Sequence, residues 1–232
     1  MLSTWSHYRQ KKTKTKSYSK KVTFTLAEDL KVGDQLVTID KLNIFGTKHV
    51  PDARLFGLMI GDGNCTVGST PSISCGDDEI YNFLKENYNI TDGKQHIQKN
   101  SKRYIQVSLK GIKSKLIDAN LYGLVKENKR LPKDIHTYSK ESLANLIGGY
   151  FDADGCVVYN KKKNRIRLCL TSAVEELLNQ IKFELLRFGI HSSVVKERRK
   201  KGYVSNKDVY RLYIQGFTDI KRFQENITLL CK

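Results

Sequence analysis

Leu55-Phe56-Gly57-Leu58-Met59-Ile60-Gly61-Asp62-Gly63 and Ile147-Gly148-Gly149-Tyr150-Phe151-Asp152-Ala153-Asp154-Gly155 are two copies of one pattern. Each is a short apolar run ending in Asp-Gly, too short to cross a bilayer. A run that ends this way predicts a helix stopped by a residue that tolerates positive φ. Small residues recur four apart, Gly57 with Gly61 and Gly149 with Ala153. That spacing puts each pair on one helix face. Two such faces can meet backbone to backbone, because no bulky side chain holds them apart. Asp62 and Asp154 then end side by side.

That juxtaposition is unfavourable on its own. A carboxylate at a helix C-terminus meets the negative end of the dipole. Two nearby carboxylates repel, and one pKa rises. A divalent cation resolves both problems, and hard oxygen donors of this kind suit Mg²⁺. Carboxylates that hold metal ions beside a phosphate are the machinery of phosphodiester hydrolysis. One copy alone could be an ordinary buried helix whose Asp caps a turn. Two copies with a similar downstream order argue against that.

Both copies resemble the signature helix of the LAGLIDADG homing endonucleases. The second has Gly149, Asp152, Ala153, Asp154 and Gly155 in place. The first is looser, with Ile60 and Gly61 where the signature has Asp and Ala. The resemblance implies a pseudo-symmetric monomer in which the last acidic residue of each copy, Asp62 and Asp154, binds the metal. It adds the backbone carbonyls of Gly61 and Ala153 as further ligands. Asp152 is expected to have a local structural role, since its counterpart is Ile60.

The chain has 232 residues and a formal net charge of +17. That length suits one sizeable domain or two small ones. Basic residues recur along most of the chain, so the charge is not confined to a tail. A polyanion is the natural partner, nucleic acid ahead of a membrane surface. Met1 to Lys21 is polar and basic, without the apolar segment of a signal peptide. Cys65, Cys75, Cys156, Cys169 and Cys231 are odd in number and contain no Cys-x-x-Cys, which argues against a disulfide framework or a zinc knuckle. A reducing intracellular compartment is expected.

Residues 1–21 read as unfolded or peripheral, with Lys11, Lys12, Lys14, Lys16, Lys20 and Lys21 among Thr, Ser and Tyr. They are either a phosphate-binding arm or a solvated tail. Val22, Phe24 and Leu26 alternate with polar neighbours as in a strand, and Val32-Gly33-Asp34 reads as a turn. This stretch resembles the part of an intein splicing domain where a Leu-x-x-Gly-Asp turn joins two strands. Met1 and Lys232 stand where splicing would need a nucleophile and an Asn, so splicing is not expected. A remnant on an endonuclease is the simplest account, and an unrelated small hairpin is the alternative.

The fold class expected is α+β, two pseudo-symmetric αββαββα halves joined at the signature helices, with antiparallel DNA-binding sheets. The divisions are residues 1–50, a first half over 51–128, a linker over 129–138 and a second half over 139–232. Asp52 and Ser139 are expected N-caps. Turns are expected at Asp92-Gly93 and Asn100-Ser101, helical segments from Ile112 to about Glu127, a helix over Val174–Phe188 and a last one over Asp219–Leu230.

On the strand Arg165–Thr171, Ile166, Leu168 and Leu170 form one face and Arg165, Arg167, Cys169 and Thr171 the other. The first set belongs inside, the second outside. Outward basic and amide side chains can reach base edges in a major groove. The same holds for Gln106, Ser108 and Lys110, and for Arg211, Tyr213 and Gln215. Lys161, Lys162, Lys163, Lys196, Arg198, Arg199, Lys200 and Lys201, on or beside turns, suit phosphates. Any one of these could be a solvated charge.

In the intein-type branch of the resembling family, a Lys three residues before a linker Pro lies near the active site. Lys129, before Pro132, is that candidate, with Arg130 the rival. A second-half counterpart would fall near Lys232, with Lys221 and Lys232 as weak candidates. The reading is a monomeric site-specific endonuclease that makes a Mg²⁺-dependent double-strand break in a long DNA target with short 3′ overhangs. Mn²⁺ or Ca²⁺ could occupy the same sites. An RNA-binding intron maturase and a non-cleaving DNA-binding protein on the same fold are the alternatives.

Overall fold

The computed structural model describes residues 2–9, 18–97, 103–161, 164–197 and 208–231. The chain forms two compact units, Met1–Asp40 and Lys41–Lys232.

The first unit is an antiparallel sheet of β1 (Leu2–Arg9), β2 (Tyr18–Thr25) and β3 (Gln35–Leu36), in the order β2-β1-β3. Residues 2–9 and 18–21 are therefore paired strand, where the composition suggested an unfolded arm. Leu2 pairs with Thr25 and Arg9 with Tyr18. The Thr and Tyr residues that make this stretch look soluble also favour the pleated backbone, and the ladder satisfies its amides without a large core. Lys11, Lys12, Lys14 and Lys16 lie outside the described residues. Gly33 takes φ +106° in the expected turn, and the Asp34 carboxylate accepts from Lys31 N–H at 2.8 Å.

In the second unit the order helix, two strands, helix, two strands, helix occurs twice. The first pass is α1 (Ala53–Asp62), β4 (Gly63–Asn64), β5 (Ser72–Cys75), α2 (Asp78–Asn87), β6 (Ile90–Ile97), β7 (Arg103–Leu109) and α3 (Lys113–Asp118). The second is α4 (Lys140–Asp154), β8 (Gly155–Asn160), β9 (Arg165–Ser172), α5 (Glu175–Arg187), β10 (Ser192–Lys196), β11 (Tyr210–Gln215) and α6 (Phe217–Asn226). The sheets run β4-β5-β7-β6 and β8-β9-β11-β10, antiparallel throughout and equivalent position by position. This is the α+β class with two αββαββα halves.

The halves meet through α1 and α4. A Cβ added at Gly57 would collide with the backbone of Leu146 and Tyr150, and one at Gly149 with the carbonyl of Arg54. One at Gly61 would overlap the Ala153 methyl. The small faces thus pack backbone against backbone, and both helices end at the same place. Leu55, Leu58, Leu143, Leu146, Ile147 and Tyr150 are fully buried around the contact.

Several local details differ from the sequence reading. The glycines that end α1 and α4 are extended, Gly63 at φ −79° and Gly155 at φ −88°. Glycine is demanded there by space instead, because a Cβ would strike the carbonyls of Met59 and Phe151. Asp52 occupies the N-cap of α1 without making the cap hydrogen bond. Its carboxylate lies 2.8 Å from Lys115. Asp92-Gly93 is an irregularity inside β6, not a turn. Asn100-Ser101 lies outside the described residues. The helical stretch after Ile112 is the short α3 followed by turns, and α6 ends at Asn226. Ser139 caps α4, accepting from Ser142 N–H at 3.2 Å.

Ahead of α1, the segment from Lys41 joins the second unit through its backbone. Leu42 N–H donates to Leu186 at 3.1 Å and Gly46 N–H to Tyr138 at 2.9 Å.

Candidate active site

The paired helix ends define the site. Asp62 and Asp154 both line one cavity of about 560 Å³. Its rim includes Gly61, Gly63, Asn64 and Thr66 from the first half and Thr171, Ser172, Ala173 and Asp208 from the second. Asp62 is exposed and Asp154 half-buried. Their charges both reach the Tyr150 phenol, which burial and these two carboxylates hold well above its usual pKa.

Lys129 also lines this cavity, and its ammonium donates to the carbonyl of Gly61. The sequence explains how it is held: Leu131 and Pro132 are buried, and Leu131 N–H donates to Gln180 at 3.1 Å. The neighbouring Arg130 turns elsewhere, toward the Asn120 side-chain oxygen at 3.3 Å. Lys129 also lies close to the Cys65 thiol, whose pKa burial pushes up to about 11 against the pull of that cation.

Could these residues hold a cation? Among the described residues no group of three or more His, Cys, Asp and Glu side chains converges as a metal cage. Two carboxylates facing one open cavity nonetheless suit a hard divalent cation whose remaining ligands are water or other oxygens. They also sit at two negative helix ends in a chain of net charge +17, which makes the local negative charge unusual. The donor set fits a hard divalent ion. The Gly61 carbonyl is occupied by Lys129 here, and Ala153 places its methyl against Gly61.

Asp152, two residues before Asp154, points away from the cavity. Its carboxylate receives Arg54 at 3.0 Å and Leu230 N–H at 2.9 Å. Arg54 donates in addition to Asn145 at 3.1 Å and to the Thr228 carbonyl at 2.9 Å. This buried cluster ties the start of α1, the end of α4 and the segment after α6 together, the local role expected for Asp152. Burial lowers the Arg54 pKa and Asp152 opposes that effect.

Residues 141–228 match the model of the LAGLIDADG-like domain. Two curated relatives come from Methanocaldococcus jannaschii. An ATP-dependent DNA helicase, Hel308, is 34% identical over 223 residues, covering 88% of this chain and 18% of that protein. A probable translation initiation factor, IF-2, is 32% identical over 174 residues, covering 72% of this chain and 14% of that protein. The chain thus spans less than a fifth of either relative. A crystal structure of the meganuclease I-SmaMI bound to uncleaveable DNA superposes with a TM-score of 0.44 at 8% identity, covering 78% of this chain and 86% of that one.

Within the second half, β9 and β11 carry the residues expected to meet DNA. Arg165 is exposed at the far end of β9. The Arg167 guanidinium lies 5.4 Å over the Tyr213 ring. Arg211 approaches Tyr213 Oη at 3.5 Å and Glu197 at 3.0 Å. Gln215 and Lys161 are exposed, and Lys196 pairs with Asp208 at 2.6 Å. Lys162, Lys163, Arg198, Arg199, Lys200 and Lys201 lie outside the described residues, as does Lys232. Lys221 pairs with Glu225 along α6 at 3.7 Å.

In the first half, Gln106 donates to Ser72 Oγ at 3.0 Å, Ser108 is half-buried and Lys110 exposed. Two side chains on β9 depart from simple alternation. Ile166 is 52% exposed, because the core does not extend that far along the strand. Cys169 is 1% exposed, yet it stands apart from the apolar core, covered by its outward-facing neighbours. Sequence reasoning did not single out Asp208 or Ser172 at the cavity, nor the buried Tyr150 that both carboxylates reach. Only the tertiary fold brings the residues just before β11 and the end of β9 to the helix ends.

Proposed function

We propose that this protein is a DNA endonuclease that cuts both strands of a long duplex target as a monomer, with Mg²⁺ as its usual cofactor. The observation that carries the reading is the meeting of Asp62 and Asp154, one from each half, with Lys129 in a single cavity. Asp62 and Asp154 would hold the cation, with phosphate oxygens completing its shell. When bound, such an ion supplies Lewis-acid activation and stabilises charge on the leaving 3′ oxygen.

The remaining work falls to this chain's own residues. Lys129 places a positive charge beside the scissile phosphate of the Asp62 half, where negative charge grows as the P–O bond breaks. Arg165, Arg167, Arg211 and Gln215 orient the duplex on the sheet by contacts to base edges, and exposed lysines such as Lys161 and Lys110 by contacts to phosphates. Gln106, held by Ser72, offers a fixed amide on the first sheet. The product expected is a double-strand break with short 3′ overhangs.

The two curated relatives bear unrelated names, a helicase and an initiation factor, and share this segment as a minor part of their length. A portable segment within unrelated hosts supports an intein-derived endonuclease, with residues 1–50 related to a splicing domain. The free cysteines support a reducing compartment. Asp62→Asn and Asp154→Asn, singly and together, are expected to abolish cleavage of a target recovered from a randomised duplex library, while gel-shift affinity holds within a few-fold. Full cleavage by the double variant, or tighter binding to structured RNA than to duplex DNA, would overturn the endonuclease reading.

A further inference from the structure

Among the differences between the two half-sites, one involves a matched pair of positions. Four residues before each catalytic Asp stand Leu58 and Tyr150, on the same helix face as the carboxylate one turn later. The sheet register supplies the second position. Gly63 pairs with Ile73 and Gly155 with Leu170, so two residues further along the strand lie Cys75 and Ser172. The first half therefore has Leu58 with Cys75, both buried at 0% and 4% exposure. The second has Tyr150 with Ser172. Both members of the pair become hydroxyls together.

Packing alone does not call for those hydroxyls, since a leucine and a cysteine fill the equivalent space in the first half. The Tyr150 hydroxyl is fully buried and has Ser172 within reach, but at a geometry short of a formed hydrogen bond. Leaving such a group without a partner costs about 1–3 kcal/mol. Ser172 also lines the catalytic cavity, and its Oγ accepts from Val174 N–H at 3.0 Å.

We propose that Tyr150 is a positioning residue that acts through Ser172 in the Asp154 half-site, which rests on the endonuclease reading above. A serine oxygen has two lone pairs and one proton. Val174 N–H uses one lone pair. When the duplex is bound, the Tyr150 O–H donates to the other. The Ser172 proton is then directed into the cavity, toward a non-bridging oxygen of the phosphate beside Asp154. The Asp62 half has Lys129 for the same service. One strand is thus assisted by an ammonium and the other by an aligned hydroxyl.

The experiment is strand-resolved single-turnover cleavage, with each strand of the duplex carrying its own end label, alongside thermal unfolding without metal. Tyr150→Phe removes only the oxygen. It is expected to melt at or above the wild-type temperature, and to slow one strand roughly 10- to 100-fold, as loss of a supporting hydrogen bond does. The other strand is expected to hold within about twofold, and Lys129→Ala to slow that other strand instead. Combining Tyr150→Phe with Ser172→Ala is expected to cost no more than Ser172→Ala alone.

A lower melting temperature with both strands slowed equally would make Tyr150 structural and end the proposal. So would unchanged rates on both strands, or Lys129→Ala and Tyr150→Phe slowing the same strand. If the wild-type protein cut no duplex, the endonuclease reading would have failed first, visibly in the control lanes, and this inference with it.

Discussion

The two signature helices occupy equivalent places and carry different burdens. α1 is buried along its whole length up to Asp62 and has no acidic residue but that one. α4 carries Asp152 beside Asp154 and commits the former to Arg54, a residue of α1 itself. So the seam is symmetric in backbone and asymmetric in side chains. Symmetry is enforced only where atoms touch across it, at Gly57, Gly61, Gly149 and Ala153. Elsewhere the side chains of the two halves differ, with Lys129 at the end of one helix and Tyr150 near Ser172 on the other.

The harshest way to break the comparison is to fill the seam. Gly57→Leu would force the helices apart along their whole contact, and no rotamer escapes a backbone neighbour. Loss of the cooperative unfolding transition is expected in circular dichroism, a cost well beyond the about 1–3 kcal/mol of ordinary overpacking. A folded, normally melting variant would show that the contact is looser than described.

A milder cut tests the asymmetric part. Asp152→Ala leaves the Arg54 cation buried without its carboxylate and releases Leu230 N–H. Breaking a buried pair from one side costs about 3–5 kcal/mol, readable as a lower urea midpoint. Arg54→Met with Asp152→Leu removes both charges and is expected to recover most of that loss. A single variant as stable as wild type would show that the segment after α6 is held by other contacts.

The smallest effect concerns the thiols. Burial pushes Cys75 up to about 12 and Cys65 and Cys169 to about 11, with nearby Asp62, Asp92 and Asp77 adding to the shift at Cys75. Raised values keep these groups protonated in the folded protein while the unfolded chain ionises near its ordinary thiol range. Their contribution is therefore intact below about pH 8.5 and lost as pH climbs toward about 12. Stability is expected to fall with rising pH over that window, and iodoacetamide at pH 8 to label exposed Cys156 well before the other three. Equal labelling rates at Cys75 and Cys156 would contradict the burial of Cys75 on β5.

Much of this fold was legible in the residues. The spacing of Gly57, Gly61, Gly149 and Ala153 pointed to a close helix pair. The duplicated order of helices and strands pointed to two equivalent halves, and alternation on β7, β9 and β11 identified which faces were buried. Local errors have local causes. Asp52 has a capping side chain, but a lysine of α3 competes for it. Gly63 and Gly155 look like positive-φ stops and are in fact small because a carbonyl lies against them. Ile166 follows the apolar rhythm past the point where the core ends. The paired strand over residues 2–9 was hidden by its polar composition.

What the sequence determined by itself was periodic or repeated: two helices, two halves, their acidic ends and a basic surface. Periodicity is a property of neighbours along the chain, so it survives without coordinates. What tertiary structure alone decided was convergence. Arg54 with Asp152, Lys129 rather than Arg130 at Gly61, and Tyr150 matched against Leu58 all involve residues brought together by register and packing. Those relations depend on where backbones cross, and no spacing along the chain encodes the crossing.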